Sequence, residues 1–168
     1  MKRVLAGLGV VVGLGCVAYA LFAGKTDEEL IRERLAELET AIEVGGEPKN
    51  LAVQALQMKG TFSNLFEPGV IAHIPELGSV RRGRDELAAL ATSSRNYFAS
   101  LDVDFEHVHV QIDAAGRNAE VDTRAELTAL GRAESVPRRE ARAVRFGFFK
   151  HDEHGWRIDS VDVGDIAE

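Results

Sequence analysis

The chain has a single cysteine among its 168 residues, Cys16, and it lies in an apolar run near the amino terminus. Residues 25–168 therefore have no disulfide, no thiol nucleophile and no thiolate metal site. Positive charge is also scarce. Lys2 and Arg3 are the only charges before Lys25, so residues 25–168 hold all 27 acidic residues against 18 of the 20 basic ones, a net charge of −9. Such a surface neither displaces counterions from nucleic acid nor docks on anionic lipid, which excludes both as electrostatic partners. Its ordinary role is to keep a domain soluble. Catalytic and cofactor motifs are missing too. Gly7-Leu8-Gly9 precedes no βαβ unit, so no dinucleotide cofactor is implied. There is no G-x-S-x-G elbow and no H-E-x-x-H helix. No cofactor follows from the residues.

What is present begins at the amino terminus. After the basic head Met1-Lys2-Arg3, Val4 to Ala23 run 20 residues without a charge. A helix of that length spans about 30 Å, the thickness of a bilayer's hydrocarbon core. Basic residues before it and Asp27-Glu28-Glu29 after it orient the amino terminus toward the cytoplasm. The reading is a signal-anchor helix, residues 1–24, holding a domain of residues 25–168 outside the cytoplasm. Two rivals stand beside it. One is a secretory signal cleaved after Ala18-Tyr19-Ala20. The other is lipid attachment at Cys16, which Gly13 disfavours because an aliphatic residue is needed there. Gly9 and Gly13 form a GxxxG pair that permits close helix packing in a membrane.

Residues 25–168 are of ordinary domain size, and 45% apolar against 28% charged residues is globular composition. Thr26 and Glu29 form a capping box ahead of Leu30, Ile31, Leu35, Leu38 and Ile42 at helical spacing, with Gly45-Gly46 as the stop. Glu47-Pro48-Lys49-Asn50 is a turn, and a second helix runs from Leu51 to Leu65 before Pro68-Gly69 breaks the chain. Val70 to Pro75 reads as a short edge strand and Glu76 to Arg82 as a loop. Gly83 opens a third helix whose apolar spacing continues through Tyr97, Phe98 and Leu101. The period then changes to two. Val103–Ile112, Ala119–Leu130 and Arg139–Lys150 are long strands, and Trp156–Val163 is the last. The apolar phase slips near Glu106-His107 and again between Ile158 and Val161, which predicts bulges. Long strands joined by short turns form an antiparallel meander, and the helices cover one face of it. The fold class is α+β, a bent sheet wrapped over three helices into a cone with a cavity at its open end.

The passages Val70-Ile71-Ala72-His73 … Arg82-Gly83-Arg84-Asp85-Glu86-Leu87 and Phe146-Gly147-Phe148-Phe149-Lys150 … Gly155-Trp156-Arg157-Ile158-Asp159-Ser160-Val161 carry a resemblance. With the order of elements, they resemble the nuclear-transport-factor-2-like superfamily of cystatin-like cones. It includes SnoaL-like polyketide cyclases, ketosteroid isomerases and scytalone dehydratases. The resemblance covers roughly residues 26 to 163 and implies architecture more than chemistry. It also implies that polar groups for catalysis would lie inside the cone.

The candidate cavity residues are Phe62, Phe66, His73, Tyr97, Phe98, His107, His109, Phe146 and Phe148. Proton abstraction beside a carbonyl needs a carboxylate base and an oxyanion donor. Tyr97 is the one tyrosine after residue 24, and no carboxylate stands alone on an apolar strand face. Glu120, Asp122 and Glu126 share a face with Arg124, as a solvated, cross-strand-paired surface does. His73 is a cavity candidate, against a hydrogen-bonded histidine at the sheet rim. His107 and His109 stand two residues apart and could offer two ligands to a metal, but a third is missing, so no metal is assigned. Arg132, Arg138, Arg139, Arg142 and Arg145 read as an outer sheet face diluted by Glu134 and Glu140.

Two functional readings follow. The first is a noncatalytic binding or assembly module, anchored through residues 4–23, whose sheet face pairs with a copy of itself or with a partner. The resemblance supports it through anchored subunits of secretion machines, which share this layout. The second is a carrier, isomerase, cyclase or dehydratase with a small hydrophobic ligand in the cone. An enzyme is the less favoured of the two.

Overall fold

The computed structural model describes residues 24–45, 51–75 and 79–166. The apolar run Val4–Ala23, with Cys16 and the GxxxG pair, lies outside the described residues, as does the turn at residues 47–50. Among the described residues no helix is long and apolar enough to cross a membrane.

Helix α1, Asp27–Ile42, starts on the capping box. Thr26 Oγ1 accepts from the Glu29 N–H at 3.2 Å, and the Thr26 N–H donates to Glu29 Oε2 at 2.7 Å. Ile31, Leu35 and Leu38 form its buried stripe. The helix ends before Gly45, because Val44 leaves it to make an antiparallel bridge with Leu101. Arg95 donates to the Ala41 carbonyl at 3.1 Å, satisfying one of the open C-terminal acceptors. Helix α2, Leu51–Leu65, buries Met58, Phe62 and Leu65 and leaves Val53 and Leu56 exposed.

Strand β1, Phe66–Ile74, is longer than periodicity indicates. It carries Pro68-Gly69 within it, and the irregularity appears as a register shift between Phe66 and Ile71 rather than as a break. Nor is β1 an edge. Strand β2, Ser79–Arg82, pairs with it where a loop was expected. Helix α3, Arg84–Tyr97, is entered through Gly83 at φ 90°, whose N–H bonds the Val70 carbonyl at 2.8 Å. It stops at Tyr97 because Phe98 and Leu101, although spaced as a helix face, pair with Gly131 and Val44 as strand.

Strands β3 (Phe98–Ile112), β4 (Asn118–Gly131), β5 (Arg138–His151) and β6 (Gly155–Gly164) form the antiparallel meander. The full order is β2-β1-β6-β5-β4-β3. β1 lies parallel to β6, so the sheet is mixed and not purely antiparallel. Both phase slips are bulges. His107 takes φ 54° where the β3–β4 register shifts, and Asp159 is the extra residue between Gly147↔Ser160 and Phe148↔Ile158. Gly147 stands beside this second bulge, and a side chain there would collide with those of Asp159 and Ser160.

Candidate functional site

Period two fixes which strand residues face the helices. On β4 these are Ala119, Val121, Thr123, Ala125 and Leu127; on β5 they are Phe148, Phe146, Val144, Arg142 and Glu140, each opposite one of them in register. Burial grades along these rows. Phe148 and Phe146 are fully enclosed, Val144 is nearly so, and Leu127, Arg142 and Glu140 reach solvent. The cone is therefore packed shut at one end and open at the other.

The closed end is dense. Trp156, Phe148, Ile158, Ile31, Leu65, Val70 and Val121 are all under 2% exposed. Asp27, the first residue of α1, ties the helix to the β5–β6 hairpin. Its Oδ1 accepts from Lys150 Nζ at 2.6 Å and from the Trp156 indole N–H at 2.9 Å. The Lys150 ammonium sits 5.6 Å from the Trp156 ring centroid. The hydrogen bond from Lys150 first, and that from Trp156 second, hold the Asp27 carboxyl below the usual aspartate range.

The open end holds a cavity of about 440 Å³. Its walls are Leu38 and Ile42 of α1, Phe62 and Phe66 at the α2–β1 junction, Leu87, Leu90 and Ala91 of α3, and the inward residues of the sheet. Phe105 and Phe146 meet edge to face, with centroids 5.3 Å apart, and Phe62 and Phe66 lie 4.9 Å apart. Among the described lining residues, Glu140 is the one acid and Arg142 the one base, and no histidine or tyrosine takes part. Arg142 pairs with Glu140 and with Asp165.

The nine candidate residues separate cleanly. Phe62, Phe66 and Phe146 line the cavity, while Phe148 is in the solid core of the closed end. Phe98 begins β3 outside the lining. Tyr97 is 71% exposed. His73 lies on the convex face, because Val70, Ala72 and Ile74 take the inward phase of β1; its Nδ1 is 3.5 Å from Asp162. His107 is the bulge residue and His109 faces out beside Asp122, both exposed. The described residues contain no group of three or more His, Cys, Asp or Glu suited to a metal. Arg142 does not share the outer face of Arg145, where its place in the arginine-rich stretch had put it. The signal was available: Val144, Phe146 and Phe148 point inward, so Arg142 and Glu140 in the same phase must do so as well.

The convex face of β4 and β5 carries cross-strand ion pairs. Arg145 bonds Asp122 at 2.8 Å and lies 3.4 Å from Glu120, and these acids, with Asp162, raise its pKa. Arg124 pairs with Glu126 at 2.9 Å.

A bent mixed sheet closed at one end over three helices, with an apolar cavity at the other, defines an α+β cone. Solved structures place it more closely. A nuclear transport factor 2-like superfamily protein from Salmonella enterica serovar Typhimurium is similar with a TM-score of 0.67 and 16% identity, over 84% of this chain and 92% of that one. A protein with a cystatin-like fold from Novosphingobium aromaticivorans is similar with a TM-score of 0.64 and 16% identity, over 92% and 89%. A protein from the same organism named for scytalone dehydratase is similar with a TM-score of 0.61 and 10% identity, over 79% of each chain. The fold of residues 26–163 is thus the nuclear-transport-factor-2-like cone, as the sequence resemblance implied. No protein-family profile matches the chain, and no curated protein does.

Proposed function

We propose that this protein is a noncatalytic binder of a small apolar molecule, held at a membrane by its amino-terminal segment. The observation that carries the reading is the wall of the cavity. It has the volume of a small-molecule site and is built from aliphatic and aromatic side chains, with ionisable groups only at the mouth. A carbonyl-directed acid–base mechanism needs a base and an oxyanion donor near one buried point. Here Glu140 is at the rim and engaged by Arg142, and Tyr97 is turned to solvent. The anchor reading rests on Val4–Ala23 and on its position. Residue 24 leads into α1 at the closed end, so an anchored cone turns its mouth away from the bilayer, about 24 Å along α1. The domain then lies on the extracytoplasmic side, and a ligand enters from water or from a partner. We do not extend the proposal to a sheet-face dimer, because the convex face presents ion pairs where a stable interface needs an apolar centre.

Native mass spectrometry of the full chain, purified from membranes in mild detergent, tests this. The expected spectrum contains a small-molecule adduct that disappears in Ala91→Phe, which fills the cavity. Recovery of bare protein that takes up no apolar ligand on titration would sink the binding reading. Recovery of the chain in the soluble fraction at full mass would sink the anchor.

A further inference from the structure

We propose that the outward face of α2 pairs with the same face of a second copy of this chain about a twofold axis, Leu56 of each copy covering Gly60 of the other. The pairing does not depend on the cavity or on what fills it.

Helix α2 differs from the surface around it. It holds one charged residue, Lys59, among 15, whereas α1 has charged residues on every turn. Val53, Leu56 and Gly60 stand three and four residues apart and so share one face, opposite the buried Met58, Phe62 and Leu65. Leu56 is 73% exposed, more than any other large apolar side chain among the described residues. Gly60 is the informative member of the stripe. Glycine in a helix interior is less favourable than alanine, yet a side chain at this position would meet nothing within 4 Å. No contact among the described residues accounts for a glycine here, whereas close approach of a second backbone does. The stripe thus carries a projection, Leu56, and a recess, Gly60, one turn apart. It is complementary to itself, as a twofold interface requires. Charge points to the same partner. Two domains that each carry −9 approach with least repulsion across a helix that is almost uncharged. Lys59 lies 3.8 Å from Asp85 of α3, to one side of the stripe. Gln57 and Asn64 border the other side, exposed and without a hydrogen bond among the described residues, and supply a polar rim. One helix face buries less than the roughly 800 Å² per partner of a stable interface, so the pair forms reversibly. Chains held in one bilayer by Val4–Ala23, as proposed above, would meet at high effective concentration.

The test is sedimentation equilibrium of the full chain in mild detergent over a range of protein concentrations, with thermal melting of each variant alongside. The chain is expected to pass from monomer to dimer as its concentration rises, and the dimer should tighten as salt screens the like charges of the two copies. Leu56→Lys alters an exposed side chain and should leave the melt unchanged while weakening the dimer at least about thirtyfold. Gly60→Ala should move the two readouts in opposite directions. It raises the melting temperature, because alanine favours the helix and meets no neighbour, and it weakens the dimer about tenfold, because the added methyl holds the backbones apart. Ile71→Lys, on the convex face, should leave the dimer intact. A chain that stays monomeric at every concentration overturns the proposal. So does a dimer that survives Leu56→Lys, which would place the contact elsewhere, as at the Gly9 and Gly13 pair. A dimer that Gly60→Ala leaves unchanged or tightens overturns the close approach, and one that salt weakens is an ion-pair contact and overturns the neutral face.

Discussion

The two ends of the cone are made from the same elements but are built to different ends. At the closed end the inward residues are large and fill the space: Trp156, Phe148 and Ile158 from the sheet meet Ile31 and Leu65 from the helices. At the open end the inward residues of the same strands are Ala125, Leu127, Val161 and Val163, and the space between them and α3 stays empty. The difference is mainly one of side-chain volume, with Arg142 and Glu140 adding charge only at the rim. It teaches that stability and ligand access are separated along the strand axis, so each can be perturbed alone.

The largest expected effect breaks the closed end. Trp156→Ala removes the largest buried side chain together with the indole donor to Asp27, and should cost about 3–5 kcal/mol by urea denaturation. Val163→Ala, at the mouth, should cost about 1 kcal/mol or less, because a side chain that already borders a void loses fewer contacts. Similar losses from both would mean that the cone is packed evenly and that the cavity closes in solution. A smaller effect sharpens the comparison from the other side. Ala91→Leu places apolar volume in the void and should raise stability by about 0.5–1 kcal/mol in the same assay while reducing ligand binding. A destabilised Ala91→Leu would show that the space is too narrow for a side chain, and hence for a ligand.

These contrasts also mark what could be read without coordinates. The capping box at Thr26, the three helices and both bulges are local patterns, and each leaves its trace in a few adjacent residues. The Glu106-His107 slip is one extra residue in an alternation, and it appears in β3 at that place. The inward row of β5 was equally legible, since Arg142 shares the phase of Val144, Phe146 and Phe148. Other features leave no local trace. β2 is four residues long, and the strand character of Phe66–Gly69 depends on its non-local pairing with β6. Phe98 and Leu101 are three apart, which suits a helix stripe as well as a strand that bridges Val44, and only the tertiary contact decides. The cavity is a shortfall of volume between elements that no single element encodes. That Ala91 and Ala125 are small did not show that both line one cavity.

The smallest expected effect concerns acid. Three described carboxyls are held below their ordinary range, and all lie at the closed end. Lys150 and then Trp156 act on Asp27, Thr26 acts on Glu29, and Asn118 and then the Arg117 N–H act on Asp113. A carboxyl whose folded value is depressed stabilises the fold above its unfolded value, near about 4, and that contribution is lost as pH falls through the lower folded value. The urea midpoint should therefore hold from neutral pH to about 5 and decline below about 4. Asp27→Asn should start lower at neutral pH and decline less, retaining the shares of Glu29 and Asp113. Trp156 is the only tryptophan in the chain, so its indole N–H resonance reports this site without labelling ambiguity. It should move in a single step, with a midpoint below that of an ordinary aspartate, while the Leu127 and Val163 methyl signals at the mouth stay in place through that step. Mouth signals that titrate together with Trp156 would mean that the two ends loosen as one unit, and the separation of stability from access along the cone would then fail.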